Sequence, residues 1–454
     1  MTFPRMLLKT SKKSLGTKNV VYLCRAMTKI SFKTLGCRVN LFETDALASR
    51  FKKEGYEVVN GPEADVFVVN TCTVTNTSDQ KCRQAIHQIR RKNPEALIVV
   101  TGCMVNHRKE EIIQEGMADY VIDNERKTAI FDIVDEHFKK GHSDPEGYDR
   151  DLFSYQPAFD TFHTRSLIKI HDGCNNFCSY CIIPMVRGRS TSRPAKDIYE
   201  NVKSVVDHGF KEIVLTGVNM GRYHDGDTNF ETLVEHLINI KGDFRIRVSS
   251  IEPDQFSDRF LALFQHEKLA PHMHICLQSG SEDTLRRMHR FYTAAQFREM
   301  CQRIKAFRPD FNLTTDIIVG FPGETEETFK ESCDFAREIG FSHIHTFKYS
   351  KRTGTKAAAM PDQVPETVKT QRSEVMRTIS LENKLKYFEQ MKGKTQRLLI
   401  ERIDSKGVAR GYGENYVPIQ IQKEGLAKNS FIEVKINEII NTDNEDKMTF
   451  IGKI

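Results

Sequence analysis

His171-Asp-Gly-Cys-Asn-Asn-Phe-Cys-Ser-Tyr-Cys181 is the stretch on which the reading of this chain turns. Cys174, Cys178 and Cys181 stand in the spacing C-x3-C-x2-C, directly behind an apolar, strand-like run at residues 167–171. Three thiols this close on one loop are metal ligands or a reactive liability. Structural zinc takes four protein ligands, and no fourth cysteine or pattern-matched histidine stands in register. A [4Fe–4S] cluster held by only three thiolates keeps one iron open for a further ligand. The trio therefore reads as a cluster site with an open iron, with zinc as the alternative.

Outward from this loop, strand-like runs recur at 212–215, 245–249, 274–278, 314–319 and 344–349, with helical stretches such as 195–208 and 324–339 between them. Such alternation builds a parallel sheet. Six units between residues 166 and 350 are too few for a closed eight-fold barrel and predict an open, partial (β/α)6 barrel. Upstream, strand-like runs at 30–35, 66–70, 97–101 and 120–122 alternate with amphipathic stretches at 41–53, 78–91 and 109–115. These predict a doubly wound parallel sheet. Downstream of a charged helix at 365–392, short β-rich runs at 396–403, 416–421, 431–440 and 449–454 predict a small all-β barrel. The chain is thus α/β. Its expected units are a basic tail (1–27), the N-terminal sheet (28–141), a linker (142–160), the partial barrel (161–392) and the β-barrel (393–454).

A second trio lies in the N-terminal unit. Cys37 sits in Leu35-Gly-Cys-Arg-Val-Asn40, Cys72 in Asn70-Thr-Cys-Thr-Val74 and Cys103 in Thr101-Gly-Cys103. Each follows a predicted strand, and in a doubly wound sheet such loops converge on one edge. They read as a second cluster site, against the alternative of three unrelated loop cysteines. Cys82 reads as a packed or surface thiol, and Cys276, Cys301 and Cys333 as small buried hydrophobes.

Composition limits the partners. With 39% hydrophobic and 28% charged residues, the chain is expected to be soluble and globular. No apolar run reaches the roughly 18 residues of a membrane span. A formal charge of +6 permits a nucleic-acid partner without demanding one. An odd cysteine count of 11, with no secretory segment, implies a reducing cytoplasm with thiols used as ligands. Arg5, Lys9, Lys12, Lys13, Lys18 and Arg25 precede Met27 without an acidic residue. That segment reads as a flexible tail or an upstream start, the other reading being a transit peptide; Cys24 within it has no assigned role.

The C-x3-C-x2-C loop resembles that of the radical S-adenosylmethionine superfamily. The resemblance implies that the open iron chelates the amino and carboxyl groups of S-adenosylmethionine, whose reductive cleavage generates a 5′-deoxyadenosyl radical. It implies that Phe177 and Tyr180 shield the cluster. It places Thr216 and Gly217 (in Leu215-Thr-Gly-Val-Asn219), Ser249 and Glu252 (in Ser249-Ser-Ile-Glu252), and Gln278 and Ser279 (in Leu277-Gln-Ser-Gly280) against the cofactor.

Over residues 27–454 the chain is similar to the methylthiotransferase family. That similarity implies two [4Fe–4S] clusters, the second delivering sulfur, and S-adenosylmethionine as both methyl donor and radical source. The loop Leu35-Gly-Cys-Arg-Val-Asn-Leu-Phe-Glu43, with 70–76, 78–84 and Ile182-Ile-Pro-Met-Val-Arg-Gly-Arg-Ser190, resembles the branch acting on N6-threonylcarbamoyladenosine beside the tRNA anticodon. The alternatives are isopentenyladenosine tRNA and an aspartate of a ribosomal protein; outside the family, the alternative is a non-catalytic zinc or RNA-binding module. Implied partners are the anticodon stem-loop, an electron donor such as a flavodoxin or ferredoxin, and a sulfur donor. Arg187, Arg189 and Arg193 are candidates for phosphate or a substrate carboxylate. The C-terminal barrel resembles the TRAM domain, with Lys394, Arg397, Arg402, Lys406 and Arg410 as phosphate contacts and Tyr412 and Tyr416 as stacking rings.

Overall fold

The computed structural model describes residues 28–159, 164–253 and 256–454. The basic tail and Cys24 lie outside the described residues.

The first sheet is fully parallel, in the order β2-β1-β3-β4-β5, with β1 (Lys29–Thr34), β2 (Glu57–Val59), β3 (Val66–Thr71), β4 (Leu97–Gly102) and β5 (Tyr120–Ile122). β3 and β4 are buried at every residue, as continuous apolar strands covered on both faces must be. Val66, Val68, Leu97 and Val99 face a core shared with helices Arg38–Lys53 and Ile130–Lys140. Val69, Ile98 and Val100 face the opposite core, with helices Asn76–Lys92 and Cys103–Gln114. Two details differ from expectation. The edge strand β2 carries no alternation long enough to announce itself. The third helix starts at Cys103 itself, because Gly102, at φ +101, turns strand directly into helix.

The second unit holds β6 (Arg165–Asp172), β7 (Thr191–Ser192), β8 (Glu212–Gly217), a small hairpin of β9 (His224–Asp225) and β10 (Thr228–Asn229), β11 (Arg245–Val248), β12 (Ser250–Ile251), β13 (His272–Ile275), β14 (Asn312–Val319) and β15 (His343–Lys348). The sheets β11-β8-β6-β7 and β12-β13-β14-β15 are joined by a parallel bridge between Ile246 and Leu269. The result is an open arc of six parallel strands, the partial barrel expected. Ile213, Leu215, Ile246, Met273, Leu313 and Ile317 point outward into the largest core, against the helices. Strand alternation therefore turns Glu212, Arg245, Arg247, His272, His274, Thr314 and Asp316 into the lumen.

The C-terminal strands β16 (Thr395–Ile403), β17 (Val408–Tyr412), β18 (Pro418–Gln422), β19 (Phe431–Ile440) and β20 (Thr449–Lys453) close into a barrel in the order β16-β17-β18-β20-β19. β17 was not legible because Gly411 interrupts its apolar pattern; a Cβ there would meet Leu399 O at 1.7 Å. This barrel plugs the amino-terminal end of the arc. Arg247 lies 4.0 Å over the Tyr416 ring and Arg165 4.6 Å over Tyr412, while the two tyrosines stack on each other at 4.6 Å. Arg245 donates to the carbonyls of Arg397 and Tyr412, and Glu212 pairs with Arg165, Arg245 and Arg247. Tyr412 and Tyr416 are thus committed to the interdomain plug rather than offered to nucleobases, which corrects the expectation. Arg410 is paired to Asp404 and Arg397 to Asp243, whereas Arg402 and Lys406 are exposed.

Candidate active site between two cysteine trios

The loop after β6 is folded by close backbone approach. Gly173 has φ +67, and a Cβ there would stand 1.9 Å from the carbonyl oxygen of Arg189. Cys174 N–H donates to Gly188 O at 3.1 Å, and Ser179 donates through N–H to Met288 O and through Oγ to Arg287 O. Cys174, Cys178 and Cys181 are thereby presented at the carboxyl end of the arc, where ligands of such folds collect. The sulfurs already receive donors: Asn176 N–H and Asn219 Nδ2 at Cys174 Sγ (3.4 and 3.5 Å), and Arg290 Nη1 at Cys178 Sγ (3.2 Å). Burial, with Cys178 and Cys174 beside it, pushes the Cys181 thiol up to about 12. Burial also raises Cys178, against the pull of Arg290. Burial thus favours the neutral thiol at Cys178 and Cys181, and three sulfurs on one loop suit a cationic iron centre that would hold them as thiolates.

The remaining expected residues divide. Thr216 and Gly217 end β8, Ser249 follows β11, and Glu252 is ion-paired to Arg290, which also reaches the carbonyl of Cys276. Gln278, at φ +67, is locked by N–H to Asp316 O and by accepting from Ile318 N–H. Phe177 is 39% exposed under Arg189, whereas Tyr180 packs near Phe321. Ser279 departs from expectation: its hydroxyl bonds Ser332 of helix Glu326–Ile339, on the outer layer. A cleft of about 920 Å³ adjoins the loop, lined by Asn176, Glu252, Phe256, Arg290, Phe291 and Tyr292 among others.

The N-terminal trio converges as expected, at the carboxyl ends of β1, β3 and β4. Cys37 caps helix Arg38–Lys53, Cys72 follows β3, and Cys103 opens its helix. A Cβ on Gly36, at φ +108, would lie 2.7 Å from Cys72 Cβ, so glycine lets the first loop reach the second. Burial lifts the Cys72 thiol to about 12, with Cys103 and Cys37 adding repulsion. This set too suits a cation. Cys82 is packed, exchanging hydrogen bonds with the backbone of Cys72.

The two cysteine loops are brought together by one apolar contact. Cys103 packs with Ile182 and Val186, just past Cys181, and Asn124 Nδ2 donates to Val186 O at 3.0 Å. Behind them lies a buried ionic network. Arg187 donates to Asp172 (2.9 Å), Glu43 (3.1 Å) and Asn40 Oδ1 (2.6 Å), while Lys169 and Lys127 also engage Glu43. Burial opposes the Arg187 charge, but Asp172, Glu43 and the thiols of Cys103 and Cys37 outweigh it. Arg187 is therefore structural, and Arg193 is buried on Asn201, so of the three arginines expected at phosphate only Arg189 is exposed. Arg290 and Asn219 were missed as thiol partners, since neither lies in a spacing tied to the cysteines. Cys276 is not an apolar filler: its sulfur lies with His274 and Asp316 in the lumen, their ligand atoms within 4.8 Å of one another.

Two sequence profiles match the chain: the uncharacterized protein family UPF0004 over residues 29–123, and the radical SAM superfamily over residues 168–336. A threonylcarbamoyladenosine tRNA methylthiotransferase of Bacillus subtilis is 39% identical over 90% of this chain and 94% of its own length. The chain belongs to the radical S-adenosylmethionine methylthiotransferase family. The threonylcarbamoyladenosine tRNA methylthiotransferase of Aquifex aeolicus is 38% identical, over 87% of this chain and 97% of its own length. A tRNA-2-methylthio-N(6)-dimethylallyladenosine synthase of Pelotomaculum thermopropionicum is 37% identical, over 86% and 90%. The radical S-adenosylmethionine methyltransferase TsrM of Kitasatospora setae shares the fold at TM-score 0.53 and 14% identity, covering 73% of this chain and 77% of that one. No helix among the described residues of this methylthiotransferase is long and apolar enough to cross a membrane.

Proposed function

We propose that this enzyme inserts a methylthio group at C2 of N6-threonylcarbamoyladenosine beside the tRNA anticodon. The observation that carries it is the pair of cysteine trios, whose loops meet through Cys103, Ile182 and Val186. Cys174, Cys178 and Cys181 hold one [4Fe–4S] cluster, and Cys37, Cys72 and Cys103 the other. When bound, these clusters and S-adenosylmethionine supply one-electron cleavage of the sulfonium and sulfur for transfer.

The chain's own residues set the conditions. Arg290 donates to the Cys178 sulfur and Asn219 to the Cys174 sulfur, contacts that would blunt the thiolate charge when the cluster is bound. Glu252 fixes Arg290, and Thr216, Gly217, Ser249 and Gln278 offer polar strand ends to the cofactor. Phe177 and Tyr180 restrict water at the loop. The units 28–141, 161–392 and 393–454 serve as sulfur-delivering, radical and RNA-engaging parts. Exposed Arg189, Arg402 and Lys406 are the phosphate candidates. A flavodoxin- or ferredoxin-type reductant and a sulfur donor complete the partners, and the cytoplasm is the compartment.

Nucleoside profiling of tRNA from a deletion strain tests the substrate. Loss of methylthio-threonylcarbamoyladenosine is expected. Unchanged levels of it, with loss of the methylthio-isopentenyl nucleoside or of ribosomal-protein modification, would move the enzyme to another branch. Alanine at Cys174, Cys178 and Cys181 should end S-adenosylmethionine cleavage; alanine at Cys37, Cys72 and Cys103 should leave cleavage but stop sulfur insertion.

A further inference from the structure

Behind β15, at the open edge of the arc, residues 349–357 reach both cysteine loops. The first half of this segment grips the turn that follows Cys72. Arg352, 2% exposed, donates through Nη2 to Thr73 Oγ1 (2.7 Å) and Asp79 Oδ2 (2.8 Å), and through Nη1 to Asn76 Oδ1 (2.5 Å). Asn76 donates in return, from its backbone N–H to Ser350 Oγ (3.1 Å) and from its side-chain amide to Lys351 O (3.4 Å). The second half is tied to the C-x3-C-x2-C loop. Ala357 N–H donates at 2.7 Å to the carbonyl of Ser179, between Cys178 and Cys181. Ala357 is buried there with Met288, Phe321 and Tyr349, and Tyr180 packs against the same group. Between the two ends Thr355 folds the chain back, its N–H and Oγ1 both donating to Arg352 O.

This strap differs from ordinary packing in placement and in cost. Helix Asn76–Lys92, which Arg352 engages, covers one face of the N-terminal sheet. Helix Arg38–Lys53, which Arg187 engages through Asn40 and Glu43, covers the other. The sheet edge that carries Cys37, Cys72 and Cys103 is thus pinned from both faces, by one arginine on each. The cost is visible in Arg352 Nε and Asp79 Oδ1, both buried with no hydrogen-bond partner among the described residues. An apolar contact would serve stability as well without desolvating a cation. A planar guanidinium bonded to three acceptors fixes direction as well as proximity.

Resting on the two-cluster reading above, we propose that Arg352 is a positioning residue for sulfur insertion. Through residues 350–357 it holds the Cys72 loop in fixed register with the C-x3-C-x2-C loop, and so sets the spacing of the two cluster sites. Its loss leaves each site its three cysteines but frees one site to shift against the other.

The test compares wild type with Arg352→Met, Arg352→Lys and the double variant Arg352→Met/Asp79→Asn. In cluster-free protein, Arg352→Met should speed hydrogen exchange in peptides spanning 70–79 and 350–357 and leave 165–172 unchanged. After reconstitution every variant should hold about eight iron per chain and cleave S-adenosylmethionine without RNA at the wild-type rate. Arg352→Met should lower kcat for sulfur insertion about 10²-fold, with KM for tRNA unchanged. 5′-Deoxyadenosine then accumulates without methylthio product, and the magnetic coupling between the two reduced clusters weakens in electron paramagnetic resonance. Arg352→Lys should recover part of the insertion. The single methionine variant leaves Asp79 buried without its cation, whereas the double variant removes both charges and should regain the wild-type melting temperature while kcat stays low. Recovery of kcat together with the melting temperature would make Arg352 merely structural and overturn the proposal. So would unchanged exchange, loss of iron from Arg352→Met, or its full insertion activity. A wild-type enzyme that takes up only about four iron per chain would instead overturn the two-cluster reading beneath it.

Discussion

Glu43→Gln tests what holds the two cysteine sites in register. Glu43 Oε1 accepts from Lys169 at 2.9 Å and from Arg187 at 3.1 Å, and Oε2 accepts from Lys127, all with side chains essentially unexposed. With Asp172, two carboxylates face three cations. The amide is isosteric, so the change removes charge and leaves three buried cations on one carboxylate, with an NH₂ facing an ammonium. Removing one partner of a buried pair costs about 3–5 kcal/mol. At about 2–4 °C per kcal/mol for domains of this size, the melting temperature should fall by about 6–20 °C. Scanning calorimetry of the cluster-free protein reads this directly. An exposed control, Lys196→Gln in the Lys196–Glu200 pair, should stay within about 0.5 kcal/mol of wild type.

The pH dependence adds a signed check. Burial raises the Glu43 pKa, but Arg187, Lys127 and Lys169 together hold it well below its ordinary value of 4.5. A depressed carboxylate stabilises fully above its unfolded pKa and loses that contribution as pH falls through the folded one. The gap between wild type and variant should therefore be constant above about pH 5 and narrow on acidification. A neutral-pH gap of about 2 °C or less would refute the assignment of the network as the interdomain fastener.

Two further outcomes follow from the site geometry. Gly173→Ala must place a Cβ against the backbone of Arg189 at a φ of +67, so reconstituted protein should hold about four iron instead of about eight, measured by iron and sulfide assay. In cluster-free protein at pH 7, iodoacetamide should label exposed Cys37 before Cys72 or Cys181, whose thiols burial raises to about 12; peptide mass spectrometry gives the order.

What the sequence disclosed was whatever is periodic or local. Cys174, Cys178 and Cys181 declared themselves by spacing, and the strands of the arc by apolar runs that must be buried twice. The N-terminal trio was legible one step removed, because strands in a parallel sheet deliver their ends to one edge. The partners of the sulfurs were not legible, since Arg290 and Asn219 reach Cys178 and Cys174 across 112 and 45 residues. Arg187, read as a candidate for phosphate or a substrate carboxylate, proved buried because its carboxylates, Glu43 and Asp172, sit on different units. Lumen residues defeat pattern reading for a related reason. A barrel interior that handles polar ligands shows the alternation of a solvent-facing strand, so His274, Cys276 and Asp316 looked like ordinary positions.

The choice of an arginine behind the trios follows from what that place demands. An apolar contact there would stabilise the interface at least as well, since desolvating charges costs nearly what their attraction returns. It would also allow sliding, because dispersion has little directional preference. Arg187 instead forks: Nη1 takes Asp172 and Glu43, and Nη2 takes Asn40, which itself donates to the carbonyls of Leu35 and Thr71. Those carbonyls belong to the chain segments that lead into Cys37 and Cys72. The loop that ends at Cys181 is therefore registered, through planar hydrogen bonds of fixed direction, to the loops bearing the other trio. A lysine offers a point charge without the fork. The interface trades stability for placement, which chemistry between two fixed centres requires.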